Sequence, residues 1–383
     1  MSPKKEMHKK RRAPRIVGIV AGALVALVVL VVIGFNIYTR VTYSAFYSTA
    51  QEEFEIPGIH AGFICQDLDY YDEGDCWFFS GYSTGDGQSP LYRRAADGQS
   101  VEFFAALPDG SAYVDHGSAI TTSSDYAFLA CEGGYLVFHV ADLANASAGD
   151  VVQAIDRIEI GLSPAFMNIE NGTLFAGTFH LLPNYEAPEH HHLITPEGAE
   201  HAGIMFAYSA DEQGRYGFSS EPAQVYSLPD KVQGMCQLPN GDLVLSVSYG
   251  FASSYLQTYR LSDGSADANM VAGADAGVSE NAAASADADA ATDSLTSANA
   301  GSDAASNASE DTYTFMVEGK SVPLAFLSDT YLISRLSAPP MTEGIEYHDG
   351  RVYISEESAS NKYIFGKLYG AGDVFSVAES DLI

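Results

Sequence analysis

Two glutamines, a histidine, a serine and a glutamate stand at corresponding places along this 383-residue chain: Gln66, His116, Ser163, Gln233 and Glu343. A second set follows at hairpin distance: Tyr82, Glu132, His180, Tyr249 and, in the last copy, Ser358 with Glu356 and Glu357 beside it. Side-chain amides and tyrosines recognise hydroxyl and carbonyl groups, while a neutral histidine and a carboxylate can ligate a metal or exchange protons. If one fold brings both sets to a common point, Gln66, Tyr82, His116, Glu132, His180, Gln233, Tyr249 and Glu343 form a candidate ligand site. Glu343 and His116 are its two members best suited to a divalent cation such as Ca²⁺ or Zn²⁺. Polar groups in a channel can also serve only to hydrogen-bond waters and one another. The change of residue type from copy to copy favours binding, because a purely structural position would repeat one residue.

What could gather these residues is a repeat. Slid by 167 positions, 66–82 falls on 233–249: Gln66 meets Gln233, Gly74-Asp75 meets Gly241-Asp242, and Tyr82 meets Tyr249. An offset of 50 puts His116 on Gln66 and Asp125 on Asp75. Each copy is an apolar run, a tight turn and a second run, which is the signature of propeller blades. Reading four strands per blade gives 65–71, 76–82, 91–95 and 101–107; then 116–121, 126–131, 135–141 and 152–160; then 165–169, 173–179, 204–209 and 223–228. A fourth blade takes 232–238, 242–248, 255–261, a hairpin around Glu318-Gly319-Lys320, and 331–336. A fifth takes 344–347, 352–355, 363–368 and 374–377. The expectation is an all-β, five-bladed propeller, or six blades if 312–336 forms one of its own. The last blade looks short of an outer strand, and 53–56 resembles 157–160, so the N-terminal segment is expected to close the ring and hide two sheet edges.

The ends place the propeller. Residues 1–15 carry seven Lys and Arg, and every residue from Ile16 to Phe35 is apolar or Gly. Twenty residues at about 1.5 Å each span roughly the 30 Å hydrocarbon core. No small-residue cleavage pattern follows, so 16–38 reads as an uncleaved signal anchor in the plasma membrane, with the lipid bilayer as its partner. The basic flank stays cytoplasmic and a stalk, 39–52, leads to an extracellular domain, 53–383. Of 19 Lys+Arg, eight lie at or before Arg40, and of 50 Asp+Glu only Glu6 does; 11 basic residues then face 49 acidic ones, about −38. Nucleic acid needs a basic footprint and is excluded as a partner. Residues 264–311, almost entirely Ala, Ser, Asp, Asn and Gly, lack the apolar bulk to offset ordering entropy and read as a disordered insert.

Pro339-Pro340-Met341-Thr342-Glu343-Gly344-Ile345, followed by Val352-Tyr353-Ile354-Ser355-Glu356-Glu357-Ser358, resembles a signature of esterase-like and lactonase-type propellers. The resemblance covers about 20 residues. It implies that Glu343, at the start of an inner strand, helps to hold a divalent cation. The Asn and Asp that commonly complete that site are replaced here by Gln233, His116 and Ser163.

Four cysteines lie outside the apolar run, and Cys65 with Cys131, in neighbouring blades, is the favoured disulfide. Glu189-His190-His191-His192, with Glu197 and His201, lacks helical or Cys-partnered metal spacing and reads as a solvated loop or a flap over the channel mouth. No serine-hydrolase elbow, P-loop or dinucleotide fingerprint occurs. Three functions stay open: a membrane-anchored receptor for a small polar ligand, glycan or envelope component; a metal-dependent hydrolase of an ester, lactone or phosphoester; and a protein-binding scaffold with an inert channel.

Overall fold

The computed structural model describes residues 12–85, 87–261, 313–363 and 365–383; the expected insert 264–311 and most of the basic segment 1–15 lie outside the described residues. The chain enters through α1 (Arg12–Thr42), then α2 (Ser44–Thr49) and β1 (Ala50–Glu55). Within α1, Ile16–Thr42 is long and apolar enough to cross a membrane.

Blade one is β2 (Phe63–Tyr71), β3 (Cys76–Ser83), β4 (Pro90–Ala95) and β5 (Ser100–Ala106). Blade two is β6 (Ile120–Thr122), β7 (Tyr126–Cys131) and β8 (Gly134–His139); after a short α3 (Val140–Ala144), β9 (Val151–Gln153) runs parallel to β5 as a fifth strand of blade one, and β10 (Asp156–Glu159) completes blade two. Blade three is β11 (Phe166–Glu170) and β12 (Thr173–Gly177), the small hairpin β13 (Leu193–Ile194) and β14 (Glu200–His201), then β15 (Gly203–Arg215) and β16 (Gln224–Leu228). Blade four is β17 (Val232–Gln237), β18 (Leu243–Val247) and β19 (Ser254–Tyr259). The hairpin β20 (Thr314–Val317) and β21 (Lys320–Phe326) follows, then β22 (Leu332–Ala338), the outer strand of blade four. Blade five is β23 (Thr342–His348), β24 (Arg351–Glu356) and β25 (Asp373–Ala378), closed by β1.

The described residues therefore form five blades, and the N-terminal strand closes the last one in antiparallel register with β25 (Ala50↔Val377). The expected details differ in several places, the run 152–160 among them, which splits between β9 in blade one and β10 in blade two. The hairpin around Gly319 joins the outer edge of blade three, where β21 pairs parallel with β16, and makes neither a piece of blade four nor a sixth blade. The described residues of the expected strand 363–368 form none; they hold a 3-10 turn, Gly366–Leu368, beside α1. The segment read as a stalk packs on the propeller, with Tyr43 and Phe46 buried against Leu256, Ile345 and Val377 between blades four and five.

Five apolar clusters, one in each gap between neighbouring blades, hold the ring together. Strands buried on both faces, such as β7, read as near-continuous apolar runs because each blade is sandwiched between two others. The cysteines follow this geometry. Cys65 packs with Ile56 and Phe63 in the gap between blades five and one, while Cys131 packs in the gap between blades one and two. With blade one between them, the favoured disulfide does not form, and all four thiols are free and buried.

Candidate ligand site at the channel mouth

The inner strands β2, β6, β11, β17 and β23 meet in a closed ring, each touching the next. Three of the polar residues singled out by the repeat sit where these strands slip register against their partners. In β2 the pairing jumps from Cys65↔Gly81 to Asp67↔Ser80, leaving Gln66 unpaired. In β17 it jumps from Val232↔Val247 to Gly234↔Ser246, leaving Gln233 unpaired. In β23 it jumps from Thr342↔Glu356 to Ile345↔Ile354, leaving Glu343 and Gly344 unpaired. A bulge frees one residue from the ladder and re-aims its side chain. Here three blades use it to turn a polar group into the mouth. The glycine beside two of these bulges allows adjacent inner strands to approach: a Cβ on Gly344 would lie 1.8 Å from Asp67 Oδ1, and one on Gly234 would lie 2.9 Å from the Glu343 carbonyl oxygen.

His116 and Ser163 reach the mouth from loops instead, since β6 starts only at Ile120 and β11 at Phe166. Asp115 fixes the first loop, its carboxylate accepting from the backbone N–H of His116 at 2.7 Å and of Glu132 at 2.8 Å. Ser163 Oγ accepts from Gly133 N at 3.0 Å.

These groups enclose a cavity of about 660 Å³. Gln66, Tyr82, His116, Glu132, Gln233, Tyr249 and Glu343 all line it, together with Ser163 and Glu357. His180 does not. β12 ends at Gly177, and the neighbouring Phe179 takes the wall position; His180 is buried with its Nδ1 2.6 Å from Asp230. Ser358 is also turned away, its backbone N–H donating to Glu356 at 2.9 Å. Phe179 and Tyr363 complete the wall with Tyr185, Phe251 and Lys362, the last three from loops outside the repeat that spacing alone could not find. The histidine run does not line the cavity: His191 lies against Phe315, and His192 is 2.6 Å from Glu200 and meets the His180 ring at 5.6 Å.

On the floor, a hydrogen-bonded relay crosses from blade two to blade five. The Gln66 amide nitrogen donates to Cys65 O and to Glu357 Oε2, both at 3.0 Å. Its Oε1, which can only accept, lies 2.8 Å from His116 Nε2, so the imidazole carries its proton on Nε2. Burial and the nearby Lys362 ammonium lower the His116 pKa and keep the ring neutral. It stacks on Tyr82 with centroids 4.2 Å apart. Burial and then the Glu357 charge hold the Glu343 pKa well above the usual carboxylate range, so Glu343 keeps its proton and donates it to Glu357. Burial raises Glu357 to about 7, against the pull of Lys362 and Gln66. Lys362 donates to the Tyr82 hydroxyl at 2.6 Å and lies over the Tyr82 and Tyr363 rings.

The relay occupies some of the atoms that a divalent cation would need. In this arrangement His116 Nε2 and Glu357 Oε2 are both engaged with Gln66. Among the described residues no group of three or more His, Cys, Asp or Glu side chains is placed to hold a metal.

Below the floor lies a polar layer that the repeat did not reveal. Asp67 and Asp69 of β2 accept from the backbone N–H groups of Ile120 and Thr122, pairing the short β6 to blade one. Asn168 of β11 donates to Glu346 of β23 at 2.6 Å, tying blade three to blade five. Burial raises Asp69 to about 7 and Glu170 to about 8.

No family model matches the chain, and no curated protein matches it in sequence. Several solved structures resemble it at low identity. A protein described as a glucose-dehydrogenase-type oxidoreductase from Thermus thermophilus is 11% identical, with a TM-score of 0.39 over 86% of this chain and 99% of that one. The PQQ-bound aldose sugar dehydrogenase of Streptomyces coelicolor is 12% identical, with a TM-score of 0.37 over 80% of this chain and 78% of that one. A gluconolactonase from Xanthomonas campestris is 9% identical, with a TM-score of 0.35 over 86% and 88%. At these values the likeness does not extend to what those proteins bind or catalyse.

Proposed function

We propose that the propeller binds a small polar ligand, a glycan or an envelope component, at the channel mouth, and that α1 anchors it in the membrane with the propeller outside the cell. The observation that carries this reading is the convergence of Gln66, His116, Gln233, Glu343 and Glu357, from four blades, on one open cavity of about 660 Å³, with tyrosine and phenylalanine faces around it. Cavities of this size hold small molecules, and a few convergent polar groups on an aromatic wall set their orientation. The metal-dependent hydrolase has less to support it, because among the described residues no three His, Cys, Asp or Glu side chains are grouped to hold a metal. Fold alone does not decide between binding and catalysis.

The test is a thermal-shift screen of soluble oligosaccharides and envelope fragments against the full chain in detergent. A stabiliser whose effect disappears in His116→Ala supports the site. If every stabiliser acts equally on the variant, the mouth is not where the ligand binds.

A further inference from the structure

The apolar helix and the ligand cavity share one loop. α1 is exposed along most of its length, but Phe35, Asn36 and Thr39 on one face are covered. Asn36, the first polar residue after the apolar run, donates from Nδ2 to Leu368 O at 2.9 Å. Phe35 meets the Phe365 ring edge-on at 6.2 Å. The same loop supplies Lys362 to the cavity wall, and Phe365 contacts the wall residue Phe251 at 5.0 Å. The end of the bilayer-length helix thus lies two ring contacts from the rim of the mouth. Phe251 is 70% exposed there, an apolar rim residue mostly open to its surroundings.

A helix that leaves the hydrocarbon at Asn36 sets this rim at the membrane interface, where aromatic side chains are favoured. The cavity also limits the headgroup it could admit. Asp115, Glu132 and the Glu343–Glu357 pair line it, with Lys362 the one lysine or arginine among its described lining residues. Lys362 is already committed to Tyr82. A phosphate would meet mostly carboxylates, whereas a neutral polyhydroxyl group meets amides, carboxyls and aromatic faces suited to hydroxyl and ring contacts. From the contacts of Asn36, Phe35 and Phe251 with the loop that forms the cavity wall, we propose that the mouth opens onto the outer leaflet and takes the uncharged glycan headgroup of a membrane glycolipid. This rests on the binding reading above and narrows it to a ligand class and a direction of approach.

The full chain in nanodiscs tests both parts separately. For direction, Phe251→Trp adds an exposed indole beside the buried native Trp77, and lipids brominated near the headgroup report its depth. At least a twofold greater fluorescence loss than in the parent chain is expected; no added quenching overturns the membrane-facing mouth while leaving ligand binding intact. For ligand class, a dihexosyl diacylglycerol in phosphatidylcholine nanodiscs is compared with the same free disaccharide and with phosphatidylcholine alone. Confinement to the surface is expected to raise apparent affinity at least tenfold over the free sugar, as tethering does. Equal affinity for both sources overturns the lipid-borne ligand. Quenching without binding of either sugar overturns the glycan assignment, and the oligosaccharide and fragment screen then shows whether the cavity binds anything else.

Discussion

Replacing Glu356 with Gln is expected to flatten the protein's loss of stability toward alkaline pH. Glu356 is buried beside the relay, and burial raises its pKa from 4.5 to about 7, against hydrogen bonds from the Ser358 N–H and hydroxyl. The folded value lies above the unfolded one. The stability tied to this group is therefore fully present below pH 4.5 and is lost as pH rises to about 7. Two and a half units at 1.36 kcal/mol each give about 3 kcal/mol, of which about 2.5 kcal/mol falls between pH 5 and pH 8. Gln cannot ionise. Its amide nitrogen takes either the place of the acceptor oxygen that serves Ser358 or that of Oε1, which is buried without a partner, so a constant cost of about 1–3 kcal/mol is expected at every pH. That cost cancels in the difference between pH values. Urea unfolding of the full chain and of Glu356→Gln at pH 5 and pH 8 measures it directly. The variant should gain about 2.5 kcal/mol on the parent between the two pH values. An unchanged gap would mean that Glu356 ionises freely in the folded state, and the picture of a protonated inner wall would fail.

Other expectations follow from the same geometry. Because Glu343 is a protonated donor to Glu357, Glu343→Gln at pH 7 should preserve both stability and ligand binding, measured by thermal shift with and without the stabiliser; loss of binding would show that the carboxylate itself is needed. Gly344→Ala places a methyl against Asp67 and should cost about 1–3 kcal/mol or more in urea unfolding, as overpacking does; a neutral result would mean that the inner strands are more loosely joined than described. Removing residues 1–55 deletes β1 and uncovers the β25 edge, so the shortened chain should aggregate in size-exclusion chromatography, and a stable monomer would contradict the closure. Asn36→Leu removes the bond to Leu368 and should speed amide exchange across residues 357–371 without altering the rest of blade five; unchanged exchange would mean that the helix does not brace that loop.

The blades were legible because their signals are local: apolar runs, turn dipeptides such as Gly241-Asp242, and a repeat that survives in Gln66 and Gln233. The bulges were half-legible. Gln233-Gly234 and Glu343-Gly344 repeat a polar residue before glycine, and glycine inside a strand marks a bulge or a close approach. What failed depended on packing between distant segments. The β20–β21 hairpin chose the blade-three edge through a parallel pairing with β16, which no local pattern encodes. The run 363–368 has the aromatic content of a strand, yet its turn Gly366–Leu368 packs against α1. His180 missed the cavity by one residue because the chain leaves strand geometry after Gly177 and the alternation no longer holds. Lys362, Tyr185 and Phe251 come from loops, outside any repeat.

The claim that blades one and five meet at one site is tested most directly by a double-mutant cycle on Gln66 and Glu357, which lie 291 positions apart in sequence and 3.0 Å apart in space. Gln66→Ala, Glu357→Ala and the double variant, each unfolded in urea at pH 7, should show a coupling of about 0.5–3 kcal/mol. Strict additivity, within about 0.3 kcal/mol, would contradict the closed relay and the cavity built above it.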